Sequence, residues 1–223
     1  MKKSVAIIGL SRFGLNLVES FSKLNIDVVA VDQNKEFVKK ASEFVTNAFV
    51  IDSTDEEALK DAGIANVDNA VVAIGQNDRS NLTSSIITII KLKQIGVEHI
   101  TARADDEDYA KVLKLVGATD VVSPLAIASE RVANKIASGS VVDYFNIKDD
   151  YDVYEVKIDA DFAPLKLVDL DSRTRFKINL LLIERDDHVI LPNKETILMP
   201  NDDIFIFGKK KEVPKILNFF TKK

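Results

Sequence analysis

Val5-Ala6-Ile7-Ile8-Gly9-Leu10-Ser11-Arg12-Phe13-Gly14 is the stretch that decides how the rest of this chain is read. Four apolar residues run into a glycine, a second glycine follows five positions later, and Phe13, Leu17, Phe21 and Leu24 then recur at helical spacing. This is a strand, a tight turn and a helix, the placement of a G-x-G-x-x-G turn. In such a turn the first glycine makes the bend, the middle one admits a pyrophosphate to the backbone, and the third lets helix and strand pack closely. Gly9 and Gly14 fit, whereas Ser11 stands where the middle glycine is usual. Its Cβ should crowd a diphosphate, while its hydroxyl offers a hydrogen bond. Helix N-terminal amides and Arg12 would meet a phosphate placed there.

Working outward, Val28–Val31, Ala48–Ile51 and Ala70–Ile74 are further short apolar runs rich in Val and Ile. Such runs suit strands of a parallel sheet whose two faces are both covered by helices. His99–Ala102 and Asp120–Val122 are two weaker strands. Helices are expected between them: Asp78–Ile95 carries Leu82, Ile86, Ile89 and Ile90 on one stripe and ends at Gly96, and Ser123-Pro124 opens a helix over Leu125–Ala137 that Ser138-Gly139 closes. The alternation predicts an α/β domain with a Rossmann-like, doubly wound parallel sheet over residues 1–139. Beyond it the pattern changes. Asp152–Ile158 alternates, Ile178–Ile183 reads as a buried run, Asp186-Asp187-His188 makes a hairpin turn into Val189–Leu191, and Pro200–Asp203 turns into Ile204–Phe207 before a closing helix at Val213–Phe220. Residues 140–223 are therefore expected to form a second, smaller α+β lobe.

Composition narrows the function. The 223 residues are 46% hydrophobic and 29% charged with a net charge of −5, an ordinary globular balance without the basic excess that a nucleic-acid partner requires. The chain has no cysteine and two histidines, which removes disulfides, thiolate sites and His-rich metal sites from consideration. Lys2-Lys3 before Val5–Ile8 is too short in its apolar part for a signal peptide, and no stretch approaches the roughly 18 apolar residues of a membrane span. A soluble, cytoplasmic protein is expected. Residues 209–223 hold six lysines against one glutamate, read as a solvated helix face.

The remaining candidates lie where the other strands end. Asp32-Gln33 closes the second strand, close to the roughly 20-residue spacing of the ribose-binding acid in dinucleotide folds. Asp52-Ser53-Thr54 follows the third strand at the carboxyl edge, where open α/β sheets bind ligands; Thr54 would also cap the next helix, with Glu57 completing a capping box. Ala73-Ile74-Gly75 ends the fourth strand, where Gly75 either admits a flat base against the backbone or serves as a plain turn residue.

Gly-Leu-Ser-Arg-Phe-Gly at 9–14, Ala-Val-Asp at 30–32, Asp-Ser-Thr at 52–54, Val-Ala-Ile-Gly at 72–75, Ala-Arg-Ala at 102–104 and Val-Gly-Ala-Thr-Asp-Val-Val-Ser-Pro at 116–124 resemble, in order and spacing, the N-terminal domain of the RCK (KTN) family. Arg173-Thr174-Arg175-Phe176, Asn179 and Ile190-Leu191-Pro192 resemble its C-terminal domain, so the likeness spans nearly the whole chain. Within the family it is similar to the regulatory subunits of Ktr-type bacterial potassium transporters, and more distantly to TrkA. The resemblance implies a homodimer assembling into an octameric ring that binds ATP, ADP or NAD(H) and gates a membrane potassium-translocating subunit. It would lie at the inner face of the cell membrane through that partner. By the same resemblance Arg12 approaches the terminal phosphates, Asp32 the ribose and Asp52 the adenine. Arg103 matches a basic position near the phosphates. Arg173, Ile178, Asn179 and Pro192 match positions that receive cyclic di-AMP. Leu125 stands where some relatives carry a cation-holding glutamate and cannot ligate a hard cation, so no metal site is carried over. Lys177 stands where a glycine is common.

Three readings compete on the residues, the plainest being a Rossmann scaffold that only mediates assembly. A regulatory binding module needs no chemistry of its own. A small NAD-dependent oxidoreductase needs a proton donor beside the nicotinamide, and His99, His188 and Tyr109 are poorly placed to supply one. Leu125, Ala128, Val132 and Ile136, widened by Ala126, Ala133 and Ala137, stripe one helix. It is either a core helix of one chain or, as the resemblance implies, a crossover between dimer partners.

Overall fold

The computed structural model describes residues 3–75, 79–138, 141–148 and 150–221. They fall into two compact units, Met1–Ala126 and Ile127–Lys223. The first runs β1 (Ser4–Ile8), α1 (Arg12–Lys23), β2 (Asp27–Asp32), α2 (Lys35–Ala41), β3 (Asn47–Val50), α3 (Glu56–Asp61), β4 (Asn69–Val72), α4 (Arg79–Gln94), β5 (His99–Arg103), α5 (Glu107–Val116) and β6 (Asp120–Val122). Six parallel strands lie in the order β3-β2-β1-β4-β5-β6. Chain direction across the sheet reverses between β1 and β4, which opens a crevice beyond their carboxyl ends.

The continuous apolar run of β1 follows from burial on both faces, whereas the run that ends in β3, expected to be covered likewise, lies at the sheet edge and leaves Phe49 and Val50 exposed. Ala6 and Ile8 pack with Ile89, Leu92, Ile100 and Leu113 on one side, and Val5 and Ile7 with Val18 and Val38 on the other. These four of the five β1 residues are at most 3% exposed.

α6 (Pro124–Ser138) carries the chain from the first unit into the second. The Ser123 hydroxyl accepts a long 3.4 Å hydrogen bond from the Ala126 amide, as an N-cap does. The large apolar residues of α6 are not core: Leu125, Ile127, Val132 and Ile136 are between 55 and 77% exposed. A core helix of a single chain is therefore not what this stripe makes.

The second unit adds β7 (Val141–Lys148), β8 (Tyr151–Lys157), β9 (Leu165–Lys166), α7 (Leu167–Leu170), α8 (Ser172–Arg175), β10 (Ile178–Arg185), β11 (His188–Ile190), β12 (Ile197–Leu198), β13 (Asp203–Lys209) and α9 (Val213–Phe220). Its main sheet is antiparallel in the order β11-β10-β13-β8-β7, with β12 paired to β9 separately. One face packs Val156, Ile178, Ile204 and Ile206 against Ile216 and Phe220 of α9. β10 and β11 are joined by Asp186 (φ 51°) and Asp187 (φ 60°), a two-residue turn with both φ positive, as the twist of a hairpin prefers.

Three expectations need correcting. β7 went unforeseen, because its pairing with β8 shifts register between Val141 and Asp143 and again between Asn146 and Lys148; two irregularities erase the two-residue alternation by which a strand is recognised. Ile178–Ile183 is not buried throughout, since a bulge between Leu180 and Leu182 leaves Leu181 43% exposed. Thr54 is not the cap of α3. Asp55 takes that place, accepting from the Glu57 amide at 3.0 Å and the Ala58 amide at 3.4 Å, because the Thr54 hydroxyl is already given to Asp52. Asp78 and Gly139, the expected ends of two helices, lie outside the described residues.

Candidate functional site

At the carboxyl ends of β1 to β4 lies a cleft lined by Gly9 and Ser11 from the first turn, Asp32, Gln33, Asn34 and Phe37 after β2, Asp52 and Ser53 after β3, Ile74 and Gly75 after β4, and Asn81 and Ser84 of α4; Ile8, Val31 and Ile51 complete its floor.

The turn is built by two glycines that interlock. Gly9 has φ +92°, and a Cβ there would lie 2.9 Å from the Ile74 nitrogen. A Cβ on Gly14 would lie 1.9 Å from the Gly9 carbonyl oxygen, so α1 can sit against β1 only because Gly14 has none. The middle position makes no such demand. Ser11 has φ −65° and extended ψ, ordinary values for a serine. Its hydroxyl does not cap α1, so the first amides of the helix keep no side-chain partner from Ser11, which itself lines the cleft.

Asp32 fastens the turn to the second strand. Its Oδ2 accepts from the Leu10 amide at 2.6 Å and its Oδ1 from the Asn34 amide at 2.7 Å. A carboxylate has about four acceptor positions, so both oxygens retain capacity for ribose hydroxyls. Asp52 accepts from the Thr54 amide at 2.9 Å and the Thr54 hydroxyl at 2.7 Å. Those two bonds, the amide first, hold its carboxyl below the usual carboxylate range against a small opposing effect of burial.

Not every residue expected at the site lines the cleft. Leu10 and Ala73 are fully buried and Gly14 is spent on packing. Arg12 is exposed at the first position of α1. Phe13 supports the guanidinium of Arg103, 5.7 Å from its ring centre, and Arg103 is paired with Asp105 at 2.6 and 3.2 Å. Among the described lining residues there is no Lys, Arg, His or Tyr. Sequence reasoning missed Asn34, Phe37, Asn81 and Ser84. Asn34 carried a signal as the cap of α2, accepting from the Glu36 amide at 2.9 Å.

In the second unit Arg173 and Pro192 border a shallow pocket with Leu167, Val168, Ser172 and Leu180. Ile178 is 1% exposed within the core, and Asn179 is half-buried opposite Phe207 of β13. Lys177 has φ +57°, a left-handed conformation that explains why a glycine suits this position. Among the described residues, no helix is long and apolar enough to cross a membrane.

Comparison with known proteins identifies the family of the chain. The TrkA-N domain family matches residues 5–124 and the TrkA-C domain family residues 153–221. The chain is 35% identical to Ktr system potassium uptake protein C of Bacillus subtilis, over 92% of this chain and 91% of that one. It is 28% identical to Ktr system potassium uptake protein A of the same organism, over 97 and 96%. Among solved structures, a GsuK channel bound to NAD superimposes with a TM-score of 0.63 at 16% identity, covering 99% of this chain and 39% of that one, a likeness of fold. The chain belongs to the RCK family, with a TrkA-N domain followed by a TrkA-C domain, on the branch of the Ktr potassium uptake proteins.

Proposed function

We propose that this protein is a cytosolic regulatory subunit that binds an adenine nucleotide in its N-terminal unit and gates a membrane potassium-translocating subunit of the Ktr type. The observation that carries the reading is the cleft itself: a glycine turn at an uncapped helix N-terminus, with Asp32 and Asp52 on adjoining strand ends. The absence of Lys, His and Tyr from the described lining favours a binding module over an oxidoreductase. In this reading residues 1–139 bind the nucleotide and residues 140–223 form the second ligand-binding domain, where Arg173 and Pro192 receive cyclic di-AMP.

Switching follows from charge. A ligand shifts a conformational equilibrium only by its differential affinity for the two states, and ATP differs from ADP by one phosphate. Arg12, exposed beside the turn, is the group of this chain suited to feel that phosphate. The exposed apolar stripe of α6 is the surface on which two copies would meet, as a step toward an octameric ring. Thermal-shift titration with ATP, ADP, NADH and cyclic di-AMP tests the ligands, since whatever binds the native state raises its melting temperature. Replacing Arg12 by Ala should weaken ATP more than AMP. No shift with any of the four ligands refutes the nucleotide reading, and equal losses for ATP and AMP refute the place given to Arg12. A monomer by light scattering refutes the assembly.

A further inference from the structure

α4 does not have the pattern of an ordinary surface helix. Asn81, Ser84, Ser85 and Thr88 recur at i, i+3, i+4 and i+7, so they share one face. That polar face points inward: Ser85 is 1% and Thr88 0% exposed. Buried hydroxyls are costly unless they are bonded, and both are. The Ser85 hydroxyl donates to the Asn81 carbonyl at 2.9 Å, and the Thr88 hydroxyl shares a 2.8 Å hydrogen bond with the Ser53 hydroxyl. The deep half of the stripe thus ties α4 to the loop that carries Asp52. The shallow half, Asn81 and Ser84, continues the same face into the cleft, whose lining also holds Asp52, Ser53 and Gly75.

We infer that Asn81 and Ser84 form the polar wall that reads the nucleoside of the bound nucleotide, and that the Ser53–Thr88 bond sets their distance from Asp52. A side-chain amide both donates and accepts, which is what the edge of an adenine presents. Asp52, ionised through its Thr54 bonds, accepts from an exocyclic amino group and repels the carbonyl that guanine carries in the same place. The wall therefore selects adenine over guanine and contributes nothing to counting phosphates.

This inference rests on the nucleotide reading above, and one experiment separates the two. Calorimetric affinities of the full chain for adenosine, AMP, ADP, ATP and GTP are compared between wild type, Asn81→Leu, Ser84→Ala and Thr88→Val. Asn81→Leu should weaken all four adenine ligands by the same factor, about ten-fold for a hydrogen bond removed from a partly buried site, and should narrow the margin over GTP. Ser84→Ala should do the same less strongly. Thr88→Val keeps the volume of the side chain and should lower adenosine affinity without touching the ligand, with unchanged circular dichroism showing that the helix persists. Wild-type affinity retained in Asn81→Leu, or a loss that grows with the number of phosphates, overturns the assignment while leaving the nucleotide reading intact. A wild-type protein that binds none of the five overturns both.

Discussion

Replacing Gly14 by Ala reverses a usual rule. Within a helix the change from Gly to Ala normally stabilises by about 1 kcal/mol, because glycine loses more backbone freedom on folding. Here the new methyl group would stand 1.9 Å from the Gly9 carbonyl oxygen, against the 3.0 Å that Cβ atoms keep from their neighbours. The obstacle is backbone and cannot rotate aside. Gly9 itself is fixed, its amide bonded to the Val31 carbonyl at 2.9 Å and its open side closed by Ile74. Relief requires α1 to move by about 1 Å from β1, and overpacking of that kind costs about 1–3 kcal/mol. Taking the upper end, and offsetting the propensity gain, leaves a net destabilisation of about 2 kcal/mol. For a unit of this size that lowers its melting point by roughly 5–10 °C. Urea denaturation of the full chain followed by far-ultraviolet circular dichroism measures it, and ATP titration of the same variant should show weakened binding as the turn is displaced. Gly75→Ala is the control, since a Cβ there meets nothing within 4 Å and its stability should stay within about 0.5 kcal/mol of wild type. A Gly14→Ala protein as stable as wild type, or more so, would refute the interlock.

Three other substitutions bear on separate parts of the structure. Lys177→Gly should stabilise the second unit by about 1 kcal/mol in chemical denaturation, by removing the left-handed strain of a residue with a Cβ. Asp202→Asn should destabilise that unit by about 2–3 kcal/mol in the same assay. Its carboxylate is buried, receives Arg185 at 2.6 and 2.8 Å and the Met199 amide at 2.8 Å, and the third-exposed arginine softens the loss. Thr54→Ala should raise the Asp52 pKa toward that of an ordinary carboxylate, read by carbon-detected magnetic resonance titration. The Thr54 bonds favour the charged form in the folded state, so their contribution to stability is present above the ordinary carboxylate pKa and fades as pH falls through the lowered one.

The sheet was legible because its central strands are buried on both faces, and residues such as Val5–Ile8 have no choice but to be apolar. The turn was legible for the opposite reason: Gly9 and Gly14 are the residues that steric contact leaves. What escaped was geometry that periodicity does not encode. β7 is broken by two register shifts, and Asn81 and Ser84 belong to a polar stripe that, without coordinates, reads as the outer face of α4. Arg103 was legible as a basic residue near the turn, but its engagement by Asp105 was not, since two residues of separation on a strand end say nothing of where either side chain turns.

One consequence follows from the position of β3. It is one of the two edge strands of the parallel sheet, four residues long, and Phe49 and Val50 are 39 and 50% exposed. Ala48-Phe49-Val50-Ile51 is an uncharged, Pro-free run of high strand propensity beside an unpaired backbone edge, the kind of segment on which chains stack into aggregates. The residue that ends the run is Asp52, whose ionised carboxylate is unwelcome in such a stack. Asp52 is thus a gatekeeper of solubility as well as a wall of the cleft, and variants at this position call for measurement of aggregation during expression alongside ligand affinity.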